Sequence, residues 1–231
     1  LTRTSGEDVG TYAINQGSVA LSANYIITYV SANLTINTRA ITVTAAAKNK
    51  VYGAADPELT YSVTLGTVKV GDKFSGSLAR ASGEGVGNRS ITQGTLTLGN
   101  NYAITFISAN LEITTKPITV TADNLTKNTA ATDPTLTYTI TSGGPLIGGD
   151  GFTGALTRAD PLVNTAGNYA ITRGTLGLSA NYALTFVDGV LTISSKIVPH
   201  INWSNPANIV YGTALSGTQL NAIFQVSSGD A

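Results

Sequence analysis

The chain of 231 residues contains neither cysteine nor methionine. Without cysteine there is no disulfide, thiolate nucleophile, zinc–thiolate site or iron–sulfur cluster, so packing and hydrogen bonds alone must hold the fold. The lack of both oxidisable sulfur residues suits a long-lived extracellular protein. Charge is scarce as well: Asp, Glu, Lys and Arg make up 11%, less than half the usual share of about 25%. Thirteen basic residues balance thirteen acidic ones. Nucleic acid and anionic membrane surfaces both demand surplus positive charge, so neither is expected as a partner. Apolar runs are only a few residues long, which predicts no membrane insertion in this segment. No signal peptide is visible and the chain opens at Leu1, which reads as part of something longer or as a processed product.

Threonine, by contrast, supplies about one residue in seven, against roughly one in eighteen on average. With 25 glycines and many Val and Ile residues, this composition predicts strands joined by tight turns. The dominant feature is internal repetition. Ile41-Thr42-Val43-Thr44-Ala45 returns as Ile118-Thr119-Val120-Thr121-Ala122, and Asp56-Pro57 as Asp133-Pro134, both at a shift of 77. Asn24-Tyr25, Asn101-Tyr102 and Asn181-Tyr182 recur at shifts of 77 and 80. Gly71-Asp72-Lys73-Phe74-Ser75-Gly76 matches Gly149-Asp150-Gly151-Phe152-Thr153-Gly154 at a shift of 78. The extra residues fall near 142–145 and 161–164, where Gly, Pro and Asn imply loops.

The expected organisation is two complete repeats, 39–115 and 116–195. Residues 1–38 match the C-terminal half of a repeat. Residues 196–231 match a diverged N-terminal half, with Val210-Tyr211-Gly212 echoing Val51-Tyr52-Gly53. Either a longer array was trimmed, or each chain's tail completes the head of its neighbour.

Within a repeat, residues 40–46 alternate small or apolar side chains with Thr, a period of two. Residues 59–64 put Leu59, Tyr61 and Val63 on one face. Residues 102–107 and 111–113 read as a hairpin turning at Ser108-Ala109-Asn110. About six or seven strands per repeat are expected, with one short helical turn near 68–72. The fold class is all-β: tandem small β domains, sandwich-like or alternatively β-grasp-like. The short Thr114-to-Pro117 junction predicts that they stand end to end as a rod.

These residues resemble a family. Ile-Thr-Val-Thr-Ala, Lys50-Val51-Tyr52-Gly53, Asp56-Pro57, Gly71-Asp72-x-Phe74-x-Gly76, Ser82-Gly83-Glu84, Val86-Gly87 and Asn101-Tyr102 together look like an MBG-type repeat. Such repeats occur in tandem in large bacterial surface proteins, including filamentous-haemagglutinin-like adhesins. The second full repeat departs from the pattern, with Asn128-Thr129-Ala130 in place of Tyr-Gly and Asp160-Pro161-Leu162 in place of Ser-Gly-Glu. The resemblance implies an extracellular, cell-surface stalk or adhesion role and carries no catalytic residues.

Few residues suggest chemistry. His200, the single histidine, has no counterpart in the other repeats and no visible nucleophile or orienting carboxylate. Calcium needs only carboxylate oxygens, yet Asp56, Asp72, Asp133 and Asp150 recur singly beside Pro or Gly, where Asp braces turns. Gly83-Glu84-Gly85-Val86-Gly87 imitates a phosphate loop, but no helix follows it. Arg3, Arg80 and Arg158 occupy the same place, two residues after a Leu, and read as stems packed on a sheet with a local carboxylate or carbonyl partner. Tyr25, Tyr102 and Tyr182 read as core aromatics with the hydroxyl at the rim. Asn33, Asn88, Asn124 and Asn202 fit glycosylation triplets without being equivalent between repeats. A Lys–Asn crosslink needs a buried Lys facing Asn beside an acid, and Lys50, Lys116 and Lys127 are expected near turns or strand edges, which speaks against one. No catalytic, cofactor-binding or metal residue is therefore assigned, and no cofactor.

The reading is a non-enzymatic structural array whose partners are neighbouring repeats of the same or identical chains, with head-to-tail contact as one arrangement. One alternative is a filament subunit completed by β-strand addition between chains. Another is a module binding host or environmental surface glycans through Thr- and Tyr-lined faces.

Overall fold

A computed structural model describes residues 1–195 and 200–225. The chain divides into two compact units, Leu1–Lys116 and Pro117–Ala231. The first begins with three strands, β1 (Thr2–Arg3), β2 (Gly10–Asn15) and β3 (Ala32–Ile36), in one antiparallel sheet of that order. Seven strands follow: β4 (Arg39–Ala45), β5 (Lys48–Val51), β6 (Tyr61–Leu65), β7 (Ala79–Arg80), β8 (Gly87–Thr92), β9 (Tyr102–Ile107) and β10 (Ala109–Thr114). They form two sheets, β6-β4-β9 and β5-β10-β8-β7.

The Thr-alternating segment explains how the sheets meet. In β4, Ile41, Val43 and Ala45 are buried while Thr42 and Thr44 are partly exposed, the period of two that a half-buried strand requires. Ile41 and Val43 pack with Leu96 and Leu98. Ala45 packs with Ile91 of β8 and Leu111 of β10, closing the gap between the two sheets. Tyr61 meets Phe74 edge to face, ring centres 5.2 Å apart.

Two parallel ladders organise this repeat. β4 runs parallel to β9 from Arg39↔Tyr102 to Thr44↔Ile107. β5 runs parallel to β10 from Lys48↔Leu111 to Val51↔Thr114. The expected hairpin at residues 102–113 is therefore corrected: β9 and β10 lie in different sheets, with only Ser108 between them. One residue cannot build a two-residue hairpin turn, so the chain crosses from one sheet to the other. Two smaller corrections follow. Residues 68–72 form a hydrogen-bonded turn, Asp72 N–H to the Lys69 carbonyl at 3.1 Å, without a helix. Val63 shares the face of Tyr61, opposite Val43 and Ala45 of β4, but is exposed where Tyr61 is half-buried.

The second unit repeats the plan with β11 (Lys116–Ala122), β12 (Leu125–Asn128), β13 (Tyr138–Ser142), β14 (Thr157–Arg158), β15 (Gly167–Thr172), β16 (Tyr182–Val187) and β17 (Gly189–Ser194). Its sheets are β13-β11-β16 and β12-β17-β15-β14, and β12 again runs parallel to β17. Ala122, Ile171, Leu191 and Ile193 form its core with Leu125, Leu136, Leu156, Tyr169 and Phe186. β18 (His200–Asn202) pairs antiparallel with β19 (Ile223–Gln225).

Residues 1–36 carry the counterparts of β7, β8 and β10 only. Where Leu96, Leu98 and Leu111 are 2%, 6% and 0% exposed, their counterparts Val19, Leu21 and Leu34 are 44%, 65% and 41% exposed. Residues 25–30, the counterpart of β9, form no strand. Strand-forming sequence alone does not suffice there, because among the described residues no parallel partner equivalent to β4 flanks it.

Candidate functional site

Each complete repeat places a cluster of charges against its four-stranded sheet, anchored on the two edge strands. In the first, Lys50 lies on the core-facing side of edge strand β5, in register with Ile113, and its side chain is 4% exposed. Arg80 lies on the opposite edge strand, β7, in register with Ile91. Asp56 bridges them, accepting from Lys50 Nζ at 2.6 Å and from Arg80 Nε at 2.5 Å. Glu84 accepts from Lys50 Nζ at 2.6 Å and from Arg80 Nη2. Arg80 also donates to the Ala81 and Gly83 carbonyls at 3.0 and 2.7 Å. The hydrogen bonds from Arg80 and Lys50 hold the Asp56 carboxyl below its ordinary range, and those from Lys50 and Arg80 do the same for Glu84. Asp56 and Glu84 in turn raise Lys50.

In the second repeat the same plan appears with one change. Lys127 Nζ donates to Asp133 Oδ1 at 2.6 Å, to the Ala131 carbonyl at 3.0 Å and to Asn164 Oδ1 at 2.5 Å. Arg158 Nε donates to Asp133 Oδ2 at 2.5 Å, and its Nη2 reaches the Pro161 and Val163 carbonyls at 2.9 Å. Arg158 Nη2 also stands 3.5 Å from Asn164 Oδ1. Lys127 and Arg158 hold Asp133 below the ordinary carboxylate range. The Arg158 guanidinium lies 5.3 Å from the centre of the Tyr169 ring. Asn164 thus takes the place of Glu84, and the Asn is uncharged. In residues 1–36, Arg3 pairs with Glu7 and lies 5.5 Å from the Tyr12 ring centre.

Three expectations change here. Lys50 and Lys127 are buried, with their side chains turned inward from edge strands, so proximity to a turn was no guide to exposure. Asp56 and Asp133 hold Lys and Arg side chains instead of bracing turns. Asp72 and Asp150 accept hydrogen bonds from the Tyr102 and Tyr182 hydroxyls at 2.5 and 2.8 Å. The recurring Arg residues have both kinds of local partner expected of them, carboxylates and carbonyls. Tyr102 is half-buried and Tyr182 buried, but Tyr25 is exposed. His200 lies on β18 and its side-chain surroundings fall outside what is described. Lys116, at the start of β11, belongs to neither charge cluster. Among the described residues no group of three His, Asp or Glu side chains is placed to hold a metal ion.

A second polar site lies in the first unit. Asn101 donates from Nδ2 to Asp8 Oδ1 at 2.7 Å and accepts from the Val9 N–H at 2.8 Å. Its carbonyl accepts from the Arg39 N–H at 2.9 Å, tying residues 1–36 to the repeat that follows. An open, polar cleft of about 340 Å³ lies beside this clasp, lined by Glu7, Arg39, Lys69 and Asp72 among others.

The repeated two-sheet unit, its parallel ladders and its inward Lys and Arg define a class of tandem β repeat module. The chain belongs to the MBG domain family (YGX type), which matches residues 1–35, 41–112 and 118–192. No curated protein matches the chain. The Tyr-Gly of the type is present as Tyr52-Gly53, where Gly53 takes φ +81° in the turn after β5. The second repeat makes its own turn there, Ala131 N–H to the Asn128 carbonyl at 3.0 Å, with no positive φ among Asn128, Thr129 and Ala130. That turn explains how the Tyr-Gly pair is dispensable. The MBG module is a structural repeat domain. No helix among the described residues is long and apolar enough to cross a membrane.

Proposed function

We propose that this chain is a non-enzymatic, load-bearing spacer in the stalk of an extracellular surface protein. The observation that carries the reading is the pair of parallel ladders. Tension applied at Arg39 and Thr114 draws β4 and β5 toward their N-terminal ends and β9 and β10 toward their C-terminal ends. Both β4·β9 and β5·β10 are then loaded in shear. Sheared parallel strands must break several backbone hydrogen bonds together, whereas a peeled antiparallel pair loses them one at a time. Forced unfolding is governed by the barrier to that event and not by equilibrium stability. Connection to the next repeat supports the same reading: only Thr115 separates β10 from β11, so the chain leaves little slack between repeats.

The cysteine-free chain permits a clean test with paired introduced cysteines as handles. Pulling through positions 39 and 114 should require several-fold more force than pulling through 46 and 60, which peels β6 from β4. Equal forces at the two pairs would defeat the proposal.

A second reading, strand addition between chains, has its own support in Val19, Leu21 and Leu34, exposed at positions buried in the complete repeat. Light scattering and electron microscopy of the purified chain test it. Head-to-tail polymers are its expected outcome, and a monodisperse monomer would remove it.

A further inference from the structure

We propose that Lys127 and Asn164 join in an intramolecular isopeptide bond, with Asp133 as the proton carrier. The inference goes beyond the mechanical reading and does not depend on it. Three requirements of such a bond meet at one place. The nucleophile is an amine held inside the fold, the Lys127 side chain being 3% exposed. The electrophile is the Asn164 carboxamide, whose Oδ1 lies 2.5 Å from Lys127 Nζ. With a C=O bond of about 1.2 Å, Nζ lies within about 3.7 Å of Cγ, close to the distance of reacting atoms in a near-attack arrangement. The acid–base group is Asp133, with Oδ1 at 2.6 Å from the same Nζ.

The reaction balances with groups already present. Lys127 passes a proton to Asp133, and its neutral Nζ attacks Asn164 Cγ. Arg158 Nη2, 3.5 Å from Oδ1, faces the negative charge that develops on that oxygen. Asp133 then delivers the proton to Nδ2, the Cγ–Nδ2 bond breaks, and ammonia leaves. The surplus proton of the original ammonium leaves with it, giving ammonium ion and a Nζ–Cγ amide. No oxidant, metal or cofactor is consumed. Asn164 is at the surface, so the ammonia escapes directly to solvent. Asp133 is kept ionised by Lys127 and Arg158, so the first proton transfer is uphill and the bond forms slowly after folding.

The first repeat supplies an internal control. Glu84 stands where Asn164 stands, and an ionised carboxylate repels a nucleophile, so Lys50 stays in an ionic pair. The crosslink is thus specific to the second repeat. It ties β12, in the N-terminal half of the repeat, to the loop before β15 in the C-terminal half.

Intact-mass measurement of the full chain after prolonged incubation at neutral pH tests the proposal. The expected result is a loss of about 17 Da, one ammonia released by the lysine's attack. A branched tryptic peptide should join Lys127 to Asn164, without cleavage after Lys127. Asn164→Glu recreates the ionic set that the first repeat folds around, and should show the unaltered mass with the fold retained by circular dichroism. An unaltered mass in the parent chain would overturn the proposal. So would a loss of about 17 Da with Lys127 still cleaved by trypsin, because a succinimide at Asn164 has that mass without involving the lysine. Pulled through introduced cysteines at positions 116 and 195, the crosslinked repeat should extend by about half as much as the first repeat does between 39 and 114, since residues 128–163 stay inside a closed loop.

Discussion

At the scale of single residues, matched positions in different repeats act as controls for one another. Leu111 is fully buried between the two sheets, and its counterpart Leu34 is 41% exposed. Leu111→Ala should cost about 2–5 kcal/mol because it leaves a cavity. Leu34→Ala should cost about 0.5 kcal/mol or less. Chemical denaturation of each variant, compared by midpoint at constant slope, checks the difference. A second pair is glycine. Gly76 has φ +79°, and a Cβ there would sit 2.1 Å from the Thr95 carbonyl oxygen, whereas Gly99 has φ +80° with open space around it. Gly99→Ala pays only the left-handed backbone penalty of about 1–2 kcal/mol. Gly76→Ala must also push the backbone of the turn at Thr95 away, so thermal unfolding should show at least twice that loss. The charge clusters were partly legible at this scale. Arg3–Glu7 and Arg80–Glu84 share a spacing of four, and Lys50–Asp56 and Lys127–Asp133 share a spacing of six, in a chain with few charges. That coincidence was the available signal. Which atoms meet was not legible, because the loops between them decide it.

At the scale of elements, local pattern and long-range pairing separate cleanly. The alternation in 40–46 and 117–122 located β4 and β11, since burial of every second side chain is written directly in the residue types. The step from β9 to β10 imitates a hairpin in the sequence because two strand-like runs joined by a short polar segment fit one locally. Only the parallel partners β4 and β5, far away in sequence, pull the two runs into different sheets. Residues 25–30 make the same point in reverse: their residue types favour a strand, yet they form none where that partner is lacking. The place of Asn164 was hidden for a related reason. Arg158 lies 78 residues after Arg80 but Asn164 lies 80 after Glu84, so the second insertion falls between them, and the shift of 78 sets Leu162 opposite Glu84 instead.

For the whole molecule, the two charge clusters set the response to pH. Asp56, Glu84 and Asp133 have folded-state values below the ordinary carboxylate range. Their contribution is therefore complete above about pH 4, the unfolded range, and fades as pH falls toward the depressed values. Lys50 is raised, so its contribution holds at lower pH and fades only as pH climbs above the ordinary lysine range. Stability should be level between these limits. On acidification, hydrogen exchange should quicken in β8 before β15, because the first repeat has two depressed carboxylates to protonate and the second has one. The pairing of first strand with second-last strand also governs how the protein comes into being. As the chain is synthesised, β4 must wait for β9 and β5 for β10, almost the full span of a repeat. A half-made repeat therefore cannot close, and pairing over so long a span is slow. Each repeat is completed only when its final strand has emerged. An array of this kind matures in whole steps from its N-terminus, remaining threadable through a narrow exit at its growing end while the completed repeats behind it are already locked.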